Sequence, residues 1–198
     1  MRHTKNTFLL VLVAGLLQTA SAQSSQDVSQ YSFTSDTQLF IDGTSSVHDW
    51  TCEVPDATGA FTTATSEADA AFAITGGTVS IRVEDIDCGK RIMNNKLEDA
   101  LTANDAETID FEVASADVSA QDGNAFTLDV TGNLTIAGST QAVELTANGT
   151  MQNGTIQFEG SHTMLQSDFG IDPPTALLGR LKTGDEVTVR FVVTATPN

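Results

Sequence analysis

In the second half of this chain, apolar and polar residues change places at almost every step. Phe126, Leu128, Val130, Gly132, Leu134 and Ile136 share one face of a run whose other face is mainly Thr, Asp and Asn. A second run sets Val143, Leu145, Ala147, Gly149 and Met151 against Glu144, Thr146, Asn148 and Thr150. A third carries Ile156, Phe158, Gly160, His162 and Met164 on one face, and a fourth Val187, Val189, Phe191, Val193 and Ala195. Alternation of period two over this length predicts antiparallel strands with one dry and one wet face. Short turns at Ala137-Gly138-Ser139 and Gln152-Asn153-Gly154 make the first three runs sequential hairpin neighbours. Strands of about eleven residues reach roughly 36 Å, longer than usual. A long twisted sheet hides its edges by closing into a barrel.

The amino terminus is written in a different pattern. Arg2, His3 and Lys5 precede an apolar run from Phe8 to Leu17 and a small-residue stretch, Ala20-Ser21-Ala22. This is the form of a secretory signal peptide over residues 1–22, and its apolar run is about half the ~20 residues of a spanning helix. Cleavage before Gln23 leaves 176 of the 198 residues, enough for one well-buried domain. Seven basic residues then stand against 26 acidic ones, a formal charge of −19. That balance opposes nucleic acid and anionic membrane surfaces as electrostatic partners, and it reads as a solvated acidic surface suited to a salty medium, with an acidic site for a cation or basic protein as the alternative. Periplasmic or secreted localisation is expected, without a transmembrane segment.

Cys52 and Cys88 are the only cysteines. An even count in an oxidising compartment predicts one disulfide. Residues 23–30, rich in Ser and Gln, read as a flexible lead-in to a domain over 31–198. Short strands are expected at 31–36 and 38–42, then one over 46–54 with His48, Trp50, Cys52 and Val54 on one face. One helix is expected at 94–103, with Met93, Leu97, Ala100 and Leu101 on a stripe and Asn94 or Asn95 capping its start. Strand resumes at 108–118, and a helical turn with Leu177 and Leu178 precedes the last strand. Gly132, Ala147, Gly149 and Gly160 all carry inward parity, which reads as strand bends or as room left in a lumen.

Ser45-Ser46-Val47-His48-Asp49-Trp50, the stretch from Met93 to Phe111, Leu134-Thr135-Ile136-Ala137-Gly138 and Ser167-Asp168-Phe169-Gly170-Ile171 follow in an order that resembles the YceI-like family of exported, lipocalin-like proteins. The likeness runs from about Tyr31 to Thr196. It implies a mainly β fold, an extended eight-stranded antiparallel lipocalin-like barrel with one short helix packed near an end. It also implies a lumen that holds a polyisoprenoid, isoprenoid quinone or fatty acyl chain, with no catalytic machinery and no required cofactor. Glu107 stands where the family often has Pro, and Gln166 where it often has a basic residue, which weakens any expectation of a phosphate held there.

From parity, Trp50, Ile81, Phe111 and Leu128 are candidate walls of an apolar tunnel, as are Val130, Leu145, Phe158 and Phe191. His48 and His162, both of inward parity, are candidates for a polar ligand contact. Two histidines without a carboxylate or Cys at ligand spacing make a poor metal site, so none is expected. Nucleophile elbows, phosphate loops and dinucleotide fingerprints are absent. Asp168 reads as a turn residue capping backbone amides. Carriage of a lipid is the expected function. The alternatives are a lipocalin-like enzyme using His48 or His162 as acid/base, and a β-sandwich interaction module with a filled core. Oligomeric state and the identity of the lipid are not encoded in any of these features.

Overall fold

The computed structural model describes residues 26–66, 72–101, 105–176, 178 and 180–198. The expected signal peptide, 1–22, lies outside them. Strands β1 (Gln26–Phe33), β2 (Gln38–Ser45), β3 (Trp50–Val54), β4 (Ala57–Ser66) and β5 (Phe72–Arg82) come first. A 3-10 turn (Val83–Asp85) and helix α1 (Arg91–Ala100) follow. Strands β6 (Thr108–Asp122), β7 (Ala125–Ile136), β8 (Ser139–Gln152) and β9 (Thr155–Leu165) then run as a meander. A second 3-10 turn (Gln166–Phe169) and the two-residue β10 (Thr175–Ala176) lead to β11 (Leu181–Pro197).

The sheet closes into an eight-stranded antiparallel barrel. Strand β11 is long enough to pair with β2 near its start and with β1 at its end, so β1 and β2 occupy one position in the wall. Strands β3 and β4 likewise succeed one another along that composite strand. The order around the barrel is therefore β1/β2, β3/β4, β5, β6, β7, β8, β9 and β11. In the β7–β8 and β8–β9 turns, Ala137-Gly138 and Asn153-Gly154 all take positive φ, as a two-residue type I′ connection requires.

Several local expectations are corrected. Residues 26–30, expected in a flexible lead-in, are strand, in register with Thr62 to Ser66, because the free edge of β4 needs a partner. The helix begins at Arg91, and Asn94 caps nothing. Its Oδ1 instead accepts from the Cys88 amide at 2.8 Å and its Nδ2 donates to Asp87 at 3.2 Å, tying down the loop before the helix. Asp87 also accepts from the Gly89 amide, and these bonds hold its carboxyl below the usual carboxylate range. The segment around Leu178 is the tip of a β10–β11 hairpin, with Leu178 exposed at φ 56°. Leu177 lies outside the described residues.

Two apolar clusters fill the ends of the barrel. At one end Tyr31 stacks on Phe61 at 5.2 Å, while Phe61 and Phe126 meet Phe158 edge-on at 5.4 and 5.8 Å, with Ile156 and Val193 beside them. At the other, Leu39, Val54, Ile81, Val83, Ile86, Phe169 and Ile171 gather around Cys52 beneath the helix residues Leu97 and Leu101. Cys52 and Cys88 are joined, which pins the loop leading to α1 against β3. Glu53 and Asp87 add a pair of backbone bonds at 2.8 and 2.9 Å beside the disulfide.

On the outer wall Arg190 of β11 pairs with Asp42 of β2 and lies 5.1 Å from the Phe40 ring. The Arg190 guanidinium, then the Thr51 hydroxyl, hold the Asp42 carboxyl below its ordinary value. A depressed folded-state pKa contributes stability that is present above the unfolded value, about 4, and lost as pH falls through the lower folded value. Asp42→Asn should therefore flatten the acid limb of thermal stability below about pH 4 and leave its shape near neutrality unchanged. A difference between wild type and variant that grows from pH 6 to pH 8 would contradict this.

Candidate functional site: the barrel lumen

Between the two end clusters lies a cavity of about 270 Å³. Its lining is apolar except at Thr78, His162 and Gln166. Trp50, Ile81, Phe111, Leu128, Val130, Leu145, Phe158 and Phe191 all stand on this lining. Leucines 97 and 101 from the helix, and Phe169 and Ile171 from the last crossover, cover the end opposite the aromatic cluster. Sequence parity could not supply these, since they belong to no strand. The helical stripe was the signal for Leu97 and Leu101, and the motif Ser167-Asp168-Phe169-Gly170-Ile171 was the one for Phe169 and Ile171.

The two histidines part company. His162 faces the lumen, half-buried, and its imidazole has no hydrogen-bond partner among the described residues. His48 does not face it. Strand β3 begins only at Trp50, so alternation does not extend back to His48, which sits exposed in the β2–β3 turn with Nδ1 2.8 Å from the Asp49 carbonyl. Trp50, half-buried, donates its indole N–H to the Thr44 carbonyl at 3.0 Å and lays its ring over Gly43.

The inward glycines are not vacancies. Gly149 is opposite Phe126, Gly160 opposite Phe191 and Gly43 opposite Trp50, while Gly132 is diagonal to Phe111. A Cβ at any of these four would overlap the aromatic ring beside it. Each ring occupies the space of the missing side chain, so the glycines let the aromatics seat closely against the backbone. Gly149→Val should thus destabilise the barrel by about 2 kcal/mol through displacement of the buried Phe126 ring. An unchanged denaturant midpoint would show that the ring has somewhere else to go.

Gln166 approaches the lumen from the 3-10 turn, its Nε2 donating to the Gly184 carbonyl at 2.8 Å. The turn is capped by Asp185, not by Asp168. Asp185 accepts from the Ser167 amide at 2.9 Å and its hydroxyl at 2.5 Å, which keeps its carboxyl below the usual range. Asp168 is exposed, and its backbone carbonyl accepts from Gln141 of β8 at 2.9 Å. Among the described residues no group of His, Cys, Asp and Glu side chains could hold a metal ion.

A closed antiparallel barrel with an apolar lumen and one capping helix is the architecture that the sequence resemblance implies. Comparison with known families decides the matter: residues 23–195 match the YceI-like domain. The chain belongs to the YceI-like family. Among solved structures it is similar to a polyisoprenoid binding domain from Saccharophagus degradans, at 14% identity and a TM-score of 0.68, over 87% of this chain and all of that one (100%). It is similar to Burkholderia cenocepacia BcnA at 20% identity and a TM-score of 0.63, over 81% of this chain and 96% of that chain. The Campylobacter jejuni YCEI protein aligns at 18% identity with a TM-score of 0.56, over 74% and 84%. At these identities the likeness concerns the fold. No curated protein matches the chain.

Proposed function

We propose that this YceI-like protein binds and carries a long-chain apolar lipid in its lumen, outside the cytoplasm and without chemical turnover. The observation that carries the reading is the cavity itself: about 270 Å³, lined by the barrel wall and almost uniformly apolar. Each methylene moved from water into such a space contributes roughly 0.8 kcal/mol, so a tail of ten contributes about 8 kcal/mol before ordering is charged against it. A polyisoprenoid, an isoprenoid quinone and a fatty acyl chain all satisfy that chemistry. The name of the Saccharophagus relative points to the first of these.

His162 gives the ligand its orientation. As a half-buried polar side chain with no partner among the described residues, it offers a hydrogen bond to a carbonyl or hydroxyl at one end of the tail. His162→Leu should weaken binding of an oxygenated lipid about tenfold, near 1.4 kcal/mol, and leave a hydrocarbon of equal length unaffected. Equal losses for both would assign His162 to the wall alone. An enzyme would need a proton-transfer group oriented by a second residue, and among the described residues no side chain is hydrogen-bonded to the His162 imidazole. No cofactor is required by this reading. Export accords with the leader pattern over residues 1–22 and with the Cys52–Cys88 disulfide.

The direct test is native mass spectrometry of the exported protein, with extraction of whatever co-purifies. An apolar adduct that returns chemically unchanged is expected. A bare protein that also takes up no long-chain probe would overturn the proposal, and an altered lipid would replace the carrier by an enzyme.

A further inference from the structure

The barrel wall is not zipped along its whole circumference. Strands β7 and β8 pair from Ala125 opposite Thr150 all the way to Ile136 opposite Ser139. Strands β9 and β11 pair up to Leu165 opposite Glu186. Between these two well-made ladders, β8 and β9 pair only from their hairpin to Ala147 opposite Gly160. Beyond that point β8 stays with β7 and β9 with β11, and the wall divides. Continuing the register would set Leu145 against His162, Glu144 against Thr163 and Val143 against Met164, but none of these pairs forms.

The division is a window with an apex, two sides and a lintel. Its apex is Ala147 and Gly160. Its sides carry inward-facing Val143 and Leu145 on β8, and His162 and Met164 on β9, all four on the lumen lining. From Ala147 to Gln141 the open edge of β8 runs about 20 Å at strand rise. Its lintel is the Gln166–Phe169 turn, which leaves β9 and crosses toward β8, with Phe169 buried beneath it. This turn is fastened firmly on one side only. Toward β11 it has the Asp185 bonds to Ser167 and the Gln166 bond to Gly184. Toward β8 the described hydrogen bonding is one contact, Gln141 Nε2 to the Asp168 carbonyl.

We propose that the split between β8 and β9 is a lateral portal through which the apolar tail passes into and out of the lumen, with the Gln166–Phe169 turn as its strap. The proposal rests on the lipid-binding reading above and adds a route to it. The physical reason favours the side over the ends. One end is closed by the stacked aromatics and the other by a helix whose leading loop is held by a disulfide. Opening either end would break strand ladders or a tethered helix, whereas β8 and β9 have no ladder beyond Ala147 and Gly160, and the strap's described hydrogen bonding to β8 is one exposed amide bond. A slot also admits a flexible chain lengthwise while its polar end stays at the rim beside His162.

The test is a covalent staple. Glu144 and Thr163 are exposed on the two sides of the window, and the native cysteines are oxidised and do not compete for maleimide. Glu144→Cys/Thr163→Cys joined by a short bis-maleimide should slow both uptake and release of a conjugated polyene fatty acid at least tenfold, with Kd within threefold of wild type. Single-cysteine variants capped with a monofunctional maleimide should keep wild-type rates. Gln141→Ala, which frees the strap, should speed both rates about threefold or more. Wild-type rates in the stapled protein would overturn the portal. If the staple does not close, unchanged rates in Gln141→Ala overturn it instead. A wild-type protein that takes up no probe at equilibrium would sink the lipid-binding reading itself, a result distinguishable from the failure of the portal alone.

Discussion

Replacing both cysteines, Cys52→Ala/Cys88→Ala, is expected to lower the stability of the protein by about 4 kcal/mol. The bond closes a segment with a sequence separation of 36 residues, and the chain-entropy relation gives that figure for a loop of this size. For a domain of this length the melting temperature should fall by on the order of 10 °C. The location raises the consequence beyond entropy. Cys52 is fully buried in the cluster beneath α1, and Cys88 begins the loop that delivers Leu97 and Leu101 to the lumen. Loss of the tether should therefore also raise protease sensitivity around residues 86–101 before global unfolding. Thermal scans of the two proteins check the first effect and limited proteolysis the second. A drop of under 2 °C would mean that the Glu53–Asp87 bridge and the Asn94 bonds hold the loop unaided.

Filling the lumen with Val189→Trp should cut affinity for a long-chain lipid at least a hundredfold and leave the barrel folded. Val189 lies on β11 opposite His162 and Ile41, half-buried and facing the cavity, so added bulk goes into space that the ligand would occupy. Displacing four methylenes from the lumen forfeits about 3 kcal/mol, and each 1.4 kcal/mol is a factor of ten in Kd. Shorter chains should be spared, which separates a filled tunnel from a damaged fold. Isothermal titration across a series of chain lengths makes the distinction. Equal affinity at every length would place the tail elsewhere.

The site was legible wherever a residue belonged to a regular strand. Phe111, Leu128, Leu145 and Phe191 could be assigned to one wall because side chains alternate strictly along a strand and each pair of faces is decided by the residues themselves. His48 shows where that logic ends. It shares parity with Trp50, but the strand starts at Trp50, and no count of apolar residues marks that boundary. The glycines show another limit. Their inward parity was readable, yet whether a glycine leaves space or receives a ring depends on the residue across the ladder, and that is a matter of register.

From the sequence alone came the dry and wet faces of the long strands, the short turns at Ala137-Gly138-Ser139 and Gln152-Asn153-Gly154, the single disulfide and the family resemblance. These are local: they rest on periodicity, backbone preference and the chemistry of a cysteine pair. Only the tertiary structure decided that β1 and β2 share one place along β11, that aromatic rings lie over Gly43, Gly149 and Gly160, that Asp185 and not Asp168 caps the turn, and that the wall divides between β8 and β9. Each of these is settled by hydrogen bonds and packing between residues far apart in the chain. Closure of a barrel fixes the tilt and stagger of all its strands together, so which neighbours pair along their whole length depends on the whole ring of registers at once.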